Sequence, residues 1–153
     1  MGNIFNQDFR DFLQALNNNN VKYLLVGGYA VIIHGYSRTT GDMDIWVNNT
    51  QENYYKLVNA FKEFKMPVFD MTLDVFGKNK EIDVFRFGRN PVAIDIMTKM
   101  GTLDFNDCYL KAITYDDDGL QINVVHYNNL IEAKKEAGRH KDLNDIENLN
   151  KKK

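Results

Sequence analysis

The sequence predicts an α+β fold, a mixed β-sheet with helices packed on it and further helices at the C-terminal end. Three observations predict it. Apolar runs of strand length, at 21–26, 92–98 and 120–125, alternate with stretches of helical spacing. The element order runs helix, strand, helix, strand, helix, then a hairpin, a helix, a strand and two helices, which suits a mixed sheet with helices laid on it. Two aspartates one residue apart, Asp42 and Asp44, open a strand shortly after a glycine pair and a short apolar helix.

Taken in order, Asn6 to Leu16 places Phe9, Phe12, Leu13 and Leu16 on one helical face, and the asparagines 17–20 favour a turn. Val21 to Val26 reads as a strand buried on both faces, Gly27-Gly28 as a turn, and Tyr29 to Gly35 as a buried helix of about two turns. Ser37 to Gly41 is polar loop, Asp42 to Val47 the second strand, and Thr50 the cap of an amphipathic helix from Gln51 to Lys65. Met66 to Lys80 is expected to connect, with a short strand near Leu73 to Phe76. Glu81 to Phe87 and Val92 to Thr98 are strands about a hairpin turn at Gly88 to Pro91. Thr102 to Ile113 has helical character, Tyr115 to Gly119 reads as a turn, and Leu120 to Val125 as the last strand. Tyr127 to Ala137 and Lys141 to Leu149 close the chain as helices separated by Gly138.

The totals bound the function. At 153 residues the expectation is one domain, 1–153, with a core at about 21–100 and a helical segment at about 127–150. A net charge of −2 supplies no global field for nucleic acid or an acidic membrane. The single cysteine, Cys108, excludes an internal disulfide framework and suits a reducing compartment. The apolar run Tyr23 to Ile33 is about half a membrane span and is broken by Gly27 and Gly28. The first residues do not pattern as a signal peptide, so a cytoplasmic chain without membrane partners is expected.

Asp42 and Asp44 point to one face of their strand, and paired carboxylates repel unless a positive charge sits between them. A divalent metal answers that need, and a glycine turn opening a helix is a seat for phosphate. Two-metal phosphoryl chemistry, with ions about 3.5–4 Å apart, asks for a further ligand. Asp95, mid-strand between Ile94 and Ile96, is the leading third carboxylate, because a charge there is costly unless paired or metal-bound. Asp83 is its rival, on a strand that can face water harmlessly. No G-x-G-x-x-G or G-x-x-x-x-G-K-[ST] is present, so dinucleotide and Walker-type sites lack support.

The run GGYAVIIHGYSRTTGDMDIWV resembles the core motif of the nucleotidyltransferase superfamily related to DNA polymerase beta. It is most similar to the small bacterial branch of AbiEii-toxin-like and minimal nucleotidyltransferases. The matching residues are Gly27, Gly28, Arg38, Asp42 and Asp44, with Asp95 fitting the family's later carboxylate. NNLIEAKKEAGRHKDLNDIENL resembles a second segment of that branch, so the likeness spans about Tyr23 to Leu149. One position departs: many active members carry serine, whose hydroxyl contacts phosphate, where this chain has Gly28.

The resemblance implies transfer of a nucleoside monophosphate from an NTP such as ATP to a hydroxyl acceptor, a protein, a tRNA end or a small molecule. Asp42, Asp44 and Asp95 would be the catalytic, magnesium-holding carboxylates, with two Mg2+ ions. Gly27, Gly28, Arg38, Lys134 and Arg139 would contact the nucleotide. The Gly28 departure motivates a different class, a degenerate binding module paired with a cognate toxin or antitoxin. Plainer readings stand beside these. Asp44 could pair with Arg38, Lys134 could be a solvated lysine, and Arg139, Asp142 and Asp145 are spaced for surface ion pairs of roughly 0.2–0.5 kcal/mol. His34 reads as a core residue. Trp46 could stack on a base or pack in the core.

Overall fold

The computed structural model of the chain describes residues 4–78, 83–89 and 92–152. Among them six strands form one sheet: β1 (Tyr23–Val26), β2 (Met43–Val47), β3 (Val84–Arg89), β4 (Val92–Met97), β5 (Ile113–Asp117) and β6 (Leu120–Val124). Their order across the sheet is β3-β4-β2-β1-β6-β5. The two neighbours β2–β4 and β1–β6 are parallel, and the remaining pairs are antiparallel, so the sheet is mixed. This is the predicted α+β architecture.

Helix α1 (Gln7–Asn18) starts where the Asn6 side chain accepts the Phe9 amide at 2.8 Å. It buries Phe9, Phe12, Leu13 and Leu16, the predicted stripe, and Phe12 meets Phe61 and Phe64 of α3 (Gln51–Phe64) edge-on. Thr50 caps α3 as expected, accepting from the Asn53 amide. Helix α2 (Gly27–Ile33) follows β1, whose four residues are all buried. At the C-terminal end, α6 (Tyr127–Ala137) stops at Gly138, whose φ of +65° is a left-handed conformation, and α7 (His140–Lys152) packs back against α6.

Three local expectations are corrected. The stretch near Leu73 to Phe76 is not a strand but helix α4 (Leu73–Lys78), because Phe76 turns inward against Tyr54, ring centroids 5.1 Å apart. The helix expected over Thr102 to Ile113 shrinks to α5 (Phe105–Leu110), capped by Asp104. The expected turn at Tyr115 to Gly119 is mostly β5, which pairs Asp116 with Gln121 and Asp117 with Leu120. Only Asp118 and Gly119 turn, both with positive φ, the usual Asp-Gly hairpin. Asp117 can sit buried because Arg10 of α1 pairs with its carboxylate. Glu81, Ile82, Asn90 and Pro91, parts of the predicted hairpin, lie outside the described residues.

Trp46 is fully buried, packed edge-on against Phe105, so it belongs to the core rather than to a base-stacking site. His34 holds the Val125 carbonyl at 2.7 Å and meets the Tyr127 ring, a structural role. No helix among the described residues is long and apolar enough to cross a membrane.

Candidate functional site

The site grows from strand register. Pairing of β2 with β4 sets Asp44 opposite Asp95, and pairing of β3 with β4 sets Asp95 opposite Arg86. On the other side Val26 lies opposite Asp44, so Arg86, Asp95, Asp44 and Val26 form one row across four strands. Asp42 precedes β2 by one residue, and Arg86 reaches it with two hydrogen bonds of 3.0 and 3.1 Å. Arg86 also lies 3.4 Å from Asp95 Oδ2. One guanidinium therefore bridges Asp42 and Asp95.

Burial is the main reason that the Asp44 carboxyl is pushed up to about 7, with the charge of Asp95 next. Asp95 is raised too, first by burial, although Arg86 pulls it back. A hydrogen bond joins the two carboxyls and favours the proton on Asp44, so they titrate as a pair. Arg86 is held more firmly protonated by its hydrogen bond to Asp42 and the charge of Asp95. Three carboxylates thus share one guanidinium, a donor set and charge balance that fit a hard divalent cation. Among the described residues no three or more His, Cys, Asp or Glu are gathered closely enough to hold a metal ion as they stand, with Arg86 between Asp42 and Asp95. Asp83, the rival third ligand, is half-buried beside the site rather than in the row.

The two glycines are explained by what they border. Gly27 has a φ of +66°, and a Cβ there would overlap Asp44 Oδ2. A Cβ on Gly28 would overlap the Thr40 hydroxyl and lie 3.4 Å from Arg38 Nη2. The space that a serine side chain would need at position 28 is already filled by Thr40.

Beside these glycines opens a polar pocket of about 300 Å³ whose walls carry Arg38, Lys134, Arg139 and Lys141 as well as Asp42 and Asp44. Arg38, Lys134 and Arg139 are fixed from behind. Asp145 of α7 takes Arg38, with Nη2 donating at 3.1 Å and Nε 2.9 Å away, and it takes Lys134 at 3.0 Å. Asp142 takes Lys134 at 3.3 Å and Arg139 at 2.6 Å. Both aspartates are 1% exposed, and Lys134 is 7% exposed. The expectation of surface ion pairs is corrected here: Asp142 and Asp145 face inward, and Arg38 pairs with Asp145 rather than with Asp44. Burial pushes the Asp142 carboxyl up, but Arg139 and Lys134 outweigh it and leave it below the ordinary aspartate range.

Arg86, Thr40 and Lys141 escaped the sequence reading, and Asp142 and Asp145 were read only as surface ion-pair partners. A four-residue turn at Gly88 to Pro91 would set Arg86 opposite Ala93, whereas the observed register sets it opposite Asp95. Asp142 and Asp145 precede the buried Leu149 by seven and four residues, a sequence signal that they share its helix face.

Comparison with known structures follows from this geometry. A Thermotoga maritima protein provisionally described as a nucleotidyltransferase superposes with a TM-score of 0.62 at 16% identity, covering 95% of this chain and 91% of that one. The lincosamide antibiotic adenylyltransferase LnuA, bound to lincomycin, also superposes at 0.62 and 16% identity, covering 97% and 98%. This is a nucleotidyltransferase fold. An antigenic nucleotidyltransferase-like protein from Paracoccidioides brasiliensis shares it at 0.53 and 14% identity, over 92% of this chain and 72% of that one. No protein-family model matches the sequence, and no curated protein matches it significantly. At such identities the likeness is one of fold, and the row of carboxylates beside a cationic pocket is what this nucleotidyltransferase fold carries here.

Proposed function

We propose that the protein is a magnesium-dependent nucleotidyltransferase that moves a nucleoside monophosphate from an NTP to a hydroxyl acceptor. The observation that carries the reading is the contact between two opposite charge environments, the cluster of Asp42, Asp44 and Asp95 and the pocket of Arg38, Lys134, Arg139 and Lys141. Carboxylates suit magnesium, and the cations beside them suit a triphosphate. Asp42, Asp44 and Asp95 would hold the metal, which supplies charge neutralisation at the phosphates when bound.

This chain's residues do the rest. Arg38, Lys134 and Arg139 orient the β- and γ-phosphates, and Gly27 and Gly28 let the phosphates approach the backbone closely. The acceptor oxygen forms a bond to the α-phosphorus as the bond from that phosphorus to the β-phosphate oxygen breaks. Pyrophosphate leaves with the electron pair, and the acceptor proton passes to Asp95. ATP binding measured calorimetrically with and without magnesium tests the reading. It is expected to need magnesium and to vanish in an Asp42→Asn, Asp44→Asn double variant. Equal metal-free binding to that variant overturns it.

Two observations favour a second reading, a degenerate binding module serving as an antitoxin or partner subunit. Position 28 has no hydroxyl, and Arg86 already answers two of the carboxylates. Labelled NTP incubated with lysate separates the two: a labelled acceptor that depends on Asp95 rules out the module.

A further inference from the structure

A second cleft, of about 380 Å³, adjoins the polar pocket at Asp44, and the proposed nucleotide site leaves its apolar part unused. Its floor is Val84 and Met97, register partners on β3 and β4, and Met100 forms one wall. Leu130, Ala133 and Ala137 of α6 form the opposite wall. The loop at Met100 is tied to that helix, because both oxygens of Glu136 accept the Thr102 amide, at 3.1 and 3.0 Å. Gly27, Asp44, Lys134 and Arg139 line this cleft and the polar pocket alike, so a molecule in one reaches the occupant of the other over Asp44.

Resting on the nucleotidyl-transfer reading, we infer that this cleft is the acceptor subsite and that it takes a small aliphatic-bodied alcohol, uncharged or carrying an amine. The volume lies in the range of small-molecule sites. Among the described residues no aromatic side chain lines the cleft, in a chain with 12% aromatic residues, so a nucleobase or a tRNA end finds nothing there to stack on. Its apolar lining suits aliphatic carbon, and the two methionines adapt to irregular shapes. Apart from the cations shared with the polar pocket, its charged residues among those described are Asp44, Asp83, Glu136, Asp142 and Lys99, an acidic balance that disfavours the phosphates of a nucleic acid. The hydroxyl of such a guest lies beside the α-phosphate of the NTP, its oxygen forms the new ester bond, and pyrophosphate departs as above.

The test uses the full chain with magnesium and ATP, and n-octyl β-D-glucopyranoside, kept below micelle formation, as an aliphatic alcohol probe. Binding is read by saturation-transfer NMR and calorimetry in the native protein and in two variants that fill the cleft from α6, Ala133→Trp and Ala137→Phe. Circular dichroism confirms which variants fold, and Ala137 is exposed, so its replacement is readily tolerated. The probe is expected to bind the native protein and to weaken at least tenfold in a folded variant, with ATP affinity changed less than twofold. Absence of probe binding, indifference to both variants, or displacement of the probe by adenosine overturns the inference, as does an equal loss of ATP affinity. Label from α-labelled ATP appearing on tRNA or protein also overturns it. Magnesium-independent ATP binding in the Asp42→Asn, Asp44→Asn variant would instead fell the transferase reading, and the probe's occupancy of the cleft is read separately.

Discussion

Two clusters of charge meet at the site, and they are built on opposite plans. Behind the polar pocket, Asp142 and Asp145 serve Arg38, Lys134 and Arg139, and both aspartates are buried with every charge near an opposite one. Along the sheet, Asp42 and Asp95 pair with Arg86, itself half exposed, and the positive charge acting on Asp44 is that of Lys141. The first cluster is internally compensated and acts as a brace, aligning three elements of the fold. The second is left acidic and answers to something from outside. Removing a carboxylate should therefore have opposite consequences in the two places.

The largest effect is expected at the brace. Asp145→Ala strips the shared partner from Arg38 and Lys134, and breaking a buried pair from one side costs about 3–5 kcal/mol. A melting temperature lower by ~10 °C follows for a chain of this size. Urea unfolding checks it, and a loss below ~1 kcal/mol would mean that the brace is a surface feature after all.

On the sheet the sign reverses. Asp44 is held above its ordinary range by burial and by Asp95, so in metal-free buffer at pH 8 its ionised form strains the fold. Asp44→Asn relieves that strain and should raise the unfolding free energy by about 1 kcal/mol, while abolishing magnesium-dependent ATP binding. Stability gained together with binding lost marks a residue placed for function. A destabilised Asp44→Asn protein would erase the contrast between the clusters.

This contrast explains what could be read in advance. Strands and helices with a clear period were legible, because Phe9, Phe12 and Leu16 or Tyr54, Leu57 and Phe61 can only face a core. The convergence of Asp44 with Asp95 was anticipated from alternation, and it needed only β2 and β4 to be neighbours. The brace was hidden. On α7, Leu143 is 52% exposed while Asp142 and Asp145 are buried, the reverse of what side-chain polarity suggests. Partners more than a hundred residues away, such as Arg38 for Asp145, leave no local signature. The segment 113–117 misled for a related reason: its acidic tail reads as turn, and only Arg10 makes Asp117 tolerable in a strand.

Strong acid should weaken the brace. The carboxyl of Asp142 is held below its ordinary 3.8 by Arg139 and Lys134, against the opposing effect of burial. Its contribution to stability is therefore complete above the unfolded value and is lost as pH falls through the lower folded value. The stability difference between the native protein and Asp142→Asn should be flat from pH 7 to about 5 and shrink steadily below about 4. Denaturant titrations across that range measure it, and a difference that grows toward acid would show that Asp142 is not held ionised by its partners.

The smallest expected effect concerns Arg86, the sheet cation that pairs with Asp42 and Asp95. Arg86 occupies Asp42 and Asp95 through hydrogen bonds of 3.0–3.5 Å, so a metal entering the row must displace or share it. Arg86→Met keeps the length of the side chain but frees both carboxylates. If Arg86 acts as a stand-in for the ion, Mn2+ affinity followed by electron paramagnetic resonance should tighten by about threefold, because the competing charge is gone while its neighbours remain. The screening of an exposed guanidinium by water keeps the gain small. Weaker Mn2+ binding in Arg86→Met would give the residue the opposite role, orienting Asp42 and Asp95 for the metal, and the sheet would then have a brace of its own.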